Sequence, residues 1–494
     1  MTSARPARWA GFAFAFAAFA VPAALYVASA SWEPGSWDTA ELQGAPYVLG
    51  ITHPTGFPLY VLLGYAWSHV FAIGTVAWRM NVAGGLSMAV VALAAYLTAR
   101  LFGASRTIAL LATLWFACTQ NVWAHGARAE AQTLAAACSA VAIYAFLRWL
   151  RGQSDRWFVA AFALCGLGMA AHPNALWLLP ALAIGWAIAR RRPSRGSALA
   201  ALAAAAGALL LYLYLPLRSA YVVAHGLDPA SVLPGAGGGI LWNYNDPSTL
   251  AGLASELTGS ESQAPSYFLA SFNPMHVQDA LWTFVTTFAS QYGAFALVLM
   301  AAGAVAAWRR DWRATLVLIV ACTAGLLFSA VYPNEGDVGR YRLLASWIAV
   351  PLFGALAPDR SRGGLALAAY VALALALATG AYSAFTHQRA FFRRMPGEGG
   401  RWVIEAVSPY VPRRSVIVTG WLDATSLAYG AYVDGSLGGR IIVSDDKLRT
   451  TIYRRWAQQR PVFVLVDPHG AGSVPGTQEA AMLDQYHELL EVMP

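Results

Sequence analysis

Long apolar runs joined by polar connections, two of them long, make up the first 387 residues of the chain. A run of roughly 17 to 25 apolar residues crosses a bilayer as a helix, because the rise is about 1.5 Å per residue and the hydrocarbon core about 30 Å thick. The pattern predicts about eleven such spans, near 10–30, 81–101, 107–122, 131–150, 157–171, 175–189, 198–217, 280–307, 314–331, 343–356 and 364–383. From about Gln388 the pattern changes. Short β-branched runs at 415–419, 440–443 and 461–466 predict strands, and the stretches 445–459 and 478–492 predict helices, the first with Ser444 as its N-cap. The expected architecture is therefore a mainly α, polytopic membrane part over 1–387, followed by a small α/β domain over 388–494.

Composition agrees, since 58% of the 494 residues are hydrophobic and only 12% charged, which is too apolar for a soluble enzyme. The net charge of +8 comes from arginine, Lys447 being the one lysine. Its distribution reads as topology and not as nucleic-acid binding. Arg5, Arg8, Arg100, Arg106, Arg148, Arg151, Arg156, the run 190–195, the run 309–313, Arg360 and Arg362 all fall in alternate loops. The positive-inside rule places those loops in the cytoplasm, which gives an N-in, C-out protein of the cell's inner or plasma membrane with the C-terminal domain outside. The first run, with Arg5 and Arg8 ahead of it and Ala28-Ser29-Ala30 behind, is open to reading as a cleavable signal; its length favours a retained helix. Cys118, Cys138, Cys165 and Cys322 all lie in apolar runs and suggest neither a disulfide framework nor a metal cluster.

Unusual polar residues gather on the outer side. Just after the first span, W-D-T-A-E-L at 37–42 puts Asp38 and Glu41 three apart, so a helix there carries both carboxylates on one face. The alternative is a capping box, with Asp38 and Glu41 serving only the helix start. Pro54, Gly56 and Pro58 then interrupt the chain, with His53 before them and an amphipathic stretch over 57–71 after. His53 reads either as a loop residue satisfied by backbone groups or as a site residue. A second outer loop holds His125, Arg128 and Glu130, open to reading as a stabilised helix end. A third holds His172-Pro173-Asn174, and a fourth carries a Gly-rich patch at 235–239 and Asn245-Asp246-Pro247-Ser248-Thr249, whose bland reading is a turn and a helix start. No strand and helix flank the glycines as a nucleotide cradle requires. A fifth carries Arg340, Tyr341 and Arg342; a guanidinium fork suits a lipid phosphate, and an interfacial snorkelling arginine is the competing reading.

A carboxylate at the outer surface, arginines at phosphate depth and no nucleotide motif fit glycosyl transfer from a polyprenyl-phosphate sugar. The phosphate is already a good leaving group, so one base suffices to take the proton of the attacking hydroxyl, and a single displacement inverts the anomeric centre. The motifs D-T-A-E-L and G-I-T-H-P-T-G-F-P-L-Y resemble the signature of the transmembrane O-mannosyltransferase family, as do Ala77-Trp78-Arg79-Met80-Asn81, Tyr214-Leu215-Pro216-Leu217-Arg218 and the Asn245–Thr249 stretch. The wider GT-C glycosyltransferase superfamily is echoed too. The resemblance implies that Asp38 matches the catalytic acid, Glu41 its neighbour and Arg340 a donor-phosphate ligand. It departs from the usual small-residue-and-Gly spacing with Thr39 and Ala40, and from the usual H-P-P-G-Y-P with H-P-T-G-F-P. The expected enzyme is an O-mannosyltransferase-like transferase. Asp38 and Glu41 are catalytic, and His53, Arg128, Arg340, Tyr341, Arg342 and Asp246 bind substrate. Its partners are a lipid-linked donor, a protein or glycan acceptor and the bilayer. No cofactor is assigned, and a divalent metal on Asp38 and Glu41 stays open. The competing classes are a transporter or flippase, with polar residues lining a path, and a transferase acting on lipid or envelope glycan.

Overall fold

The computed structural model describes residues 4–236, 238–260, 264–332, 338–357, 364–394, 399–445, 448–469 and 474–494, and leaves undescribed the side chains of 4–8, 264, 277, 393, 394 and 450 as well. Arg5 and Arg8 as side chains, Arg360, Arg362, Lys447 and the stretch 333–337 of the fifth outer loop thus lie outside the described residues. The fold is mainly helical, as the apolar runs require. Among the described residues, six helices are long and apolar enough to cross a membrane: Trp9–Ser29, Val76–Leu101, Ala131–Leu150, Arg195–Ala224, Ala294–Val331 and Gly364–Phe392. A bent pair, Arg106–Cys118 and Gln120–Gly126, makes a seventh, turning by 71° at Thr119.

The expected count of eleven is not reached by this measure. Residues 157–171 and 175–189 form shorter helices, and 343–356 is split into Leu343–Ser346 and Ala349–Leu356. The expected span 280–307 is divided at Gly293 between Val277–Tyr292 and the next helix. The 38 residues of Ala294–Val331 would run about 57 Å if straight, nearly twice the hydrocarbon thickness. Asp311, with φ −157° and ψ 81°, breaks that helix at the arginine cluster.

The chain divides into two compact units, one of 1–30, 84–211 and 263–394 and the other of 31–83, 212–262 and 395–494. The first is a helical body. Its core is built largely from small residues, among them Ala92, Ala95, Ala112, Ala140 and Ala181, filled in by Trp149, Phe146, Phe116 and Trp347. Small side chains let helix backbones approach closely where lipid supplies no hydrophobic drive between helices. Gly126 shows it: a Cβ there would meet the Tyr26 ring at 3.1 Å, while the Tyr26 hydroxyl donates to the Ala117 carbonyl at 3.0 Å.

The second unit holds a five-stranded sheet of β1 (Val416–Thr419), β2 (Ile441–Ser444), β3 (Val462–Val466), β4 (Thr477–Met482) and β5 (Glu488–Val492). Its order is β2-β1-β3-β5-β4. β1 pairs in parallel with β2 and β3, whereas β5 is antiparallel to both β3 and β4. β1 and β3 are buried at every position, the signature of strands covered on both faces. One face packs Val403, Ile404, Leu427 and Ala428 together with Ala45 and Leu241, and the other packs Leu233, Tyr453 and Trp456.

The three predicted strands are where the β-branched runs put them. Residues 478–492, read as a helix, are instead the β4–β5 hairpin. Glu, Ala, Met and Leu favour a helix locally, but β3 needs a partner on its open side and Leu489, Leu490 and Val492 bury there, so tertiary pairing wins. Ser444 ends β2 and does not cap a helix, since the helix that follows is Thr450–Ala457.

Candidate functional site

Helix Trp37–Gly44 is capped by Ser36, whose side chain makes no capping bond. Neither carboxylate behind it serves as a cap, which overturns the capping-box reading. Asp38 and Glu41 do share a face, and both turn toward His53. Glu41 is fully buried; its Oε1 accepts the His53 backbone N–H at 2.7 Å and its Oε2 is bonded to His53 Nδ1. On the other side of the ring, Nε2 lies 3.7 Å from Asp38 Oδ2. Asp38 Oδ1 in turn accepts the indole N–H of Trp421 at 2.8 Å, from a residue 383 positions away. The site is a relay of carboxylate, imidazole and carboxylate with an indole beyond it. Burial pushes the Glu41 carboxyl above its ordinary value, and the adjoining His53 ring moderates that rise. Phe57 and Trp421 stand edge-on to the His53 ring at 5.1 and 5.9 Å and fix its plane.

The motif Tyr214–Arg218 explains why this loop holds its shape. The Tyr214 hydroxyl reaches the carbonyls of Leu49 and Gly50 at 2.9 and 2.8 Å, and Arg218 donates to those of Leu49 and Val48. Gly50 is obligatory, because a Cβ there would sit 1.7 Å from the Leu241 carbonyl oxygen. Trp37, Leu49 and Phe57 have positive φ, as do Leu241, Asn245 and Asp246 in the same unit. Such strain in non-glycine residues persists only where surrounding structure over-determines it, and it concentrates at functional sites.

Asp246 is wired into that framework. Its Oδ1 accepts from Ser248, Ser219 and Asn243 at 2.6, 2.9 and 3.2 Å. Partial burial opposes its ionisation, but the Ser248 and Ser219 hydroxyls outweigh it and hold the carboxyl below its usual range. Thr249 caps helix Leu250–Thr258 by accepting from Gly252 N–H at 3.0 Å, so the turn-and-cap reading of this motif holds. Asp246 nevertheless lines a cavity of about 650 Å³ together with Tyr244, Asn245, Trp421, Asp445 and Arg449. Trp421 therefore touches both Asp38 and this cavity, and Tyr244 stands perpendicular to its ring at 5.5 Å.

In the first unit, Glu130 is the N-cap residue of helix Ala131–Leu150 and makes no side-chain capping bond. It is a buried acceptor for two guanidinium groups, Arg128 at 3.2 Å and Arg340 at 3.3 Å, with His125 at 2.8 Å. Burial alone would raise the Glu130 carboxyl; Arg340 and Arg128 prevail and hold it well below the usual carboxylate range. Arg340 is itself buried, which sets aside the snorkelling reading for it. Arg340, Tyr341 and Arg342 lie on the short 3₁₀ turn Val338–Arg342. The Tyr341 carbonyl accepts from Asn174 at 3.2 Å and its ring packs on Tyr332 and Phe328, while the Arg342 carbonyl accepts from Ser346 at 2.8 Å. Among the described residues, no group of three or more His, Cys, Asp or Glu side chains is arranged to hold a metal ion.

Residues 38–196 match the family described as protein O-mannosyl-transferase TMEM260 N-terminal domain, a match that begins at Asp38. The motif resemblance is borne out. The mouse protein O-mannosyl-transferase TMEM260 is 28% identical over 246 residues, 48% of this chain and 32% of the mouse protein. The match thus spans about a third of that relative's length. ArnT from Cupriavidus metallidurans in the apo state superposes with a TM-score of 0.54 at 12% identity, covering 98% of each chain. The same protein bound to undecaprenyl phosphate gives 0.52 at 12% identity, with 96% of each chain covered. The fold is GT-C. That fold agrees with the mainly helical class read from the apolar runs, and the apolar helices fit a multi-pass membrane protein.

Sequence reasoning missed Trp421, Tyr244, Glu256 and Arg449. Trp421 has no local signal, since its importance comes from a contact made across most of the chain. Glu256 did have one: it is the lone acid in the apolar helix Leu250–Thr258, is fully buried, and accepts from Asn245 at 3.2 Å.

Proposed function

We propose that this chain is an integral membrane glycosyltransferase that moves a sugar, in the manner of an O-mannosyltransferase, from a polyprenyl-phosphate donor to a hydroxyl acceptor with inversion. The observation that carries this reading is the partly exposed Asp38 carboxylate, oriented by Trp421 and faced by His53. Asp38 takes the proton of the incoming hydroxyl as that oxygen attacks the anomeric carbon, and the carrier phosphate leaves with the bonding pair. Glu41 is a positioning residue. Fully buried, it acts through His53, whose plane and backbone it fixes.

The carrier phosphate is assigned to Arg128 and Arg340 on chemical grounds. Arg128 and Arg340 converge on the Glu130 carboxylate, and a guanidinium fork binds phosphate oxygens in pairs. Arg342 supports the same turn. The acceptor is assigned to the cavity beside Trp421, and the segment 388–494 is the outer, acceptor-facing part of a protein lying N-in and C-out in the cell membrane. A protein Ser or Thr hydroxyl is the favoured acceptor, supported by the name of the mouse relative. A glycan acceptor is the second reading. Two aromatic faces with carboxylate, amide and guanidinium groups are the lining that sugar rings and hydroxyls suit.

The test is a transfer assay on purified protein with defined polyprenyl-phosphate sugars, comparing wild type with Asp38→Asn. The variant is expected to fold and bind donor while turnover falls at least about a hundredfold, the scale for losing a general base. Near-normal turnover rejects Asp38 as the base.

A further inference from the structure

At the arginine-rich end of the helical unit, remote in sequence from the motifs above, a cavity of about 440 Å³ is lined by Arg151, Arg190, Arg191, Arg310, Arg313 and Asp311. The positive-inside rule accounts for arginines on this side of the membrane. It does not account for five of them, from three separate loops, converging on one cavity. Capping of helix ends explains part of the arrangement: Arg313 donates to the Ile188 carbonyl at 2.9 Å, Arg310 to that of Phe102 at 3.3 Å, and Arg151 to that of Leu101. Bonds to carbonyls leave the charge in place, and each guanidinium carries five N–H donors. Ionic pairing is sparser. Arg151 meets Asp311 at 2.8 Å and Arg191 meets Asp155 at 2.9 Å. Among the described residues in these ion pairs and in the lining, five cations face two carboxylates, an excess of three positive charges.

Exposed tryptophans at the cavity point to its depth. Trp312 lines it and lies 6.1 Å from Trp308, and both rings are exposed. Tryptophans with one apolar face and one polar edge mark the boundary between hydrocarbon and headgroups. The Asp311 break, which turns the chain between two apolar helices, lies at the same place. A basic pocket between helix ends at headgroup depth is suited to a phosphate-bearing headgroup.

We propose that this cavity binds the headgroup of an anionic membrane phospholipid carrying two phosphates, a diphosphatidyl lipid. Two phosphodiester charges offset two of the three excess positive charges, and two phosphates separated by a glycerol bridge reach arginines on separate loops. This assignment is independent of the transfer chemistry proposed above.

The test uses the full chain in phosphatidylcholine nanodiscs, titrated with diphosphatidylglycerol, with phosphatidylglycerol, or with inorganic pyrophosphate in the buffer. Native mass spectrometry counts retained lipid, and thermal unfolding reads stabilisation. The expected result is retention of diphosphatidylglycerol with a raised unfolding temperature, and about a hundredfold weaker binding in the triple variant Arg190→Gln, Arg191→Gln, Arg310→Gln, the combined effect of three lost basic contacts. If that variant does not fold, Arg190→Gln alone serves, together with the triple Lys variant, which keeps the charge but loses the fork. Equal diphosphatidylglycerol binding by wild type and Gln variants overturns the proposal. So does tight binding of pyrophosphate with no preference for the lipid, which makes the ligand a soluble anion.

Discussion

At the scale of single residues, the two buried acids Glu41 and Glu130 behave oppositely for physical reasons. Glu41 has an imidazole as its partner, so burial dominates and its carboxyl rises; Glu130 has two guanidinium groups, so attraction dominates and its carboxyl falls. Glu41→Gln keeps an acceptor for the His53 backbone N–H but loses the charge that orients the ring. The expected result is a kcat lower by about tenfold to a hundredfold with KM little changed, and partial recovery in Glu41→Asp. A merely structural role would instead lower the amount of folded enzyme and leave kcat per folded molecule intact. For Glu130 the sign follows from its lowered folded value: its contribution is fully present above the unfolded carboxyl value near about 4.3 and is lost as pH falls from there through the folded value. Glu130→Gln removes the carboxylate shared by the buried Arg340 and the half-buried Arg128 and is expected to cost about 3 kcal/mol at neutral pH. In detergent, the gap in unfolding temperature between wild type and variant is expected to close as pH drops below that value; a gap constant with pH would show that the ion pair is not its source. Asp38, Glu41 and Arg340 were legible in the sequence because acidic and basic groups beside apolar runs are costly without a purpose. Their partners were not. Trp421 looks like any aromatic, and the selection of His53 over a backbone cap depends on where the chain returns after Gly50.

At the scale of elements, the first outer loop is held by a motif that looks unremarkable in sequence. Tyr214 and Arg218 sit at the start of the helix Tyr214–Ala224 and bond carbonyls at 48–50, the turn that brings His53 back over helix Trp37–Gly44. Without a template, nothing in Y-L-P-L-R says that its polar groups reach across to a loop 165 residues earlier. Tyr214→Phe removes two hydrogen bonds and leaves the ring, so an unfolding cost of about 1 kcal/mol is expected. Gly50→Ala is the harsher change, because the new Cβ collides with backbone and the turn must open. Its expected signature is a protein that reaches the membrane and binds donor yet has lost most of its turnover, measured with the assay used for Asp38→Asn. Normal turnover in Gly50→Ala would show that the loop closes in another way. The sheet gives the complementary lesson. β1 and β3 were readable because fully buried strands are continuous apolar runs, whereas β4 and β5 carry helix-forming residues and become strands only by pairing with β3.

At the scale of the whole molecule, composition and periodicity fix a polytopic helical protein, and arginine placement fixes an expected orientation that single-cysteine labelling can test. Cys118, Cys165 and Cys322 are buried and Cys138 lies part-buried in an apolar helix, so a background of native thiols reacts little with a membrane-impermeant maleimide. Glu479, on the outermost strand of the sheet, is exposed; Arg195, at the start of a helix on the arginine-rich side, is exposed as well. In intact cells Glu479→Cys is expected to label and Arg195→Cys to label only after the membrane is permeabilised. The reverse pattern would put the Asp38 relay on the cytoplasmic side, because Asp38 and the sheet belong to one compact unit joined through Trp421. A transferase so placed would meet its lipid-linked donor and its acceptor in the cytoplasm, and the outer-face assignment would fall while the relay chemistry stood.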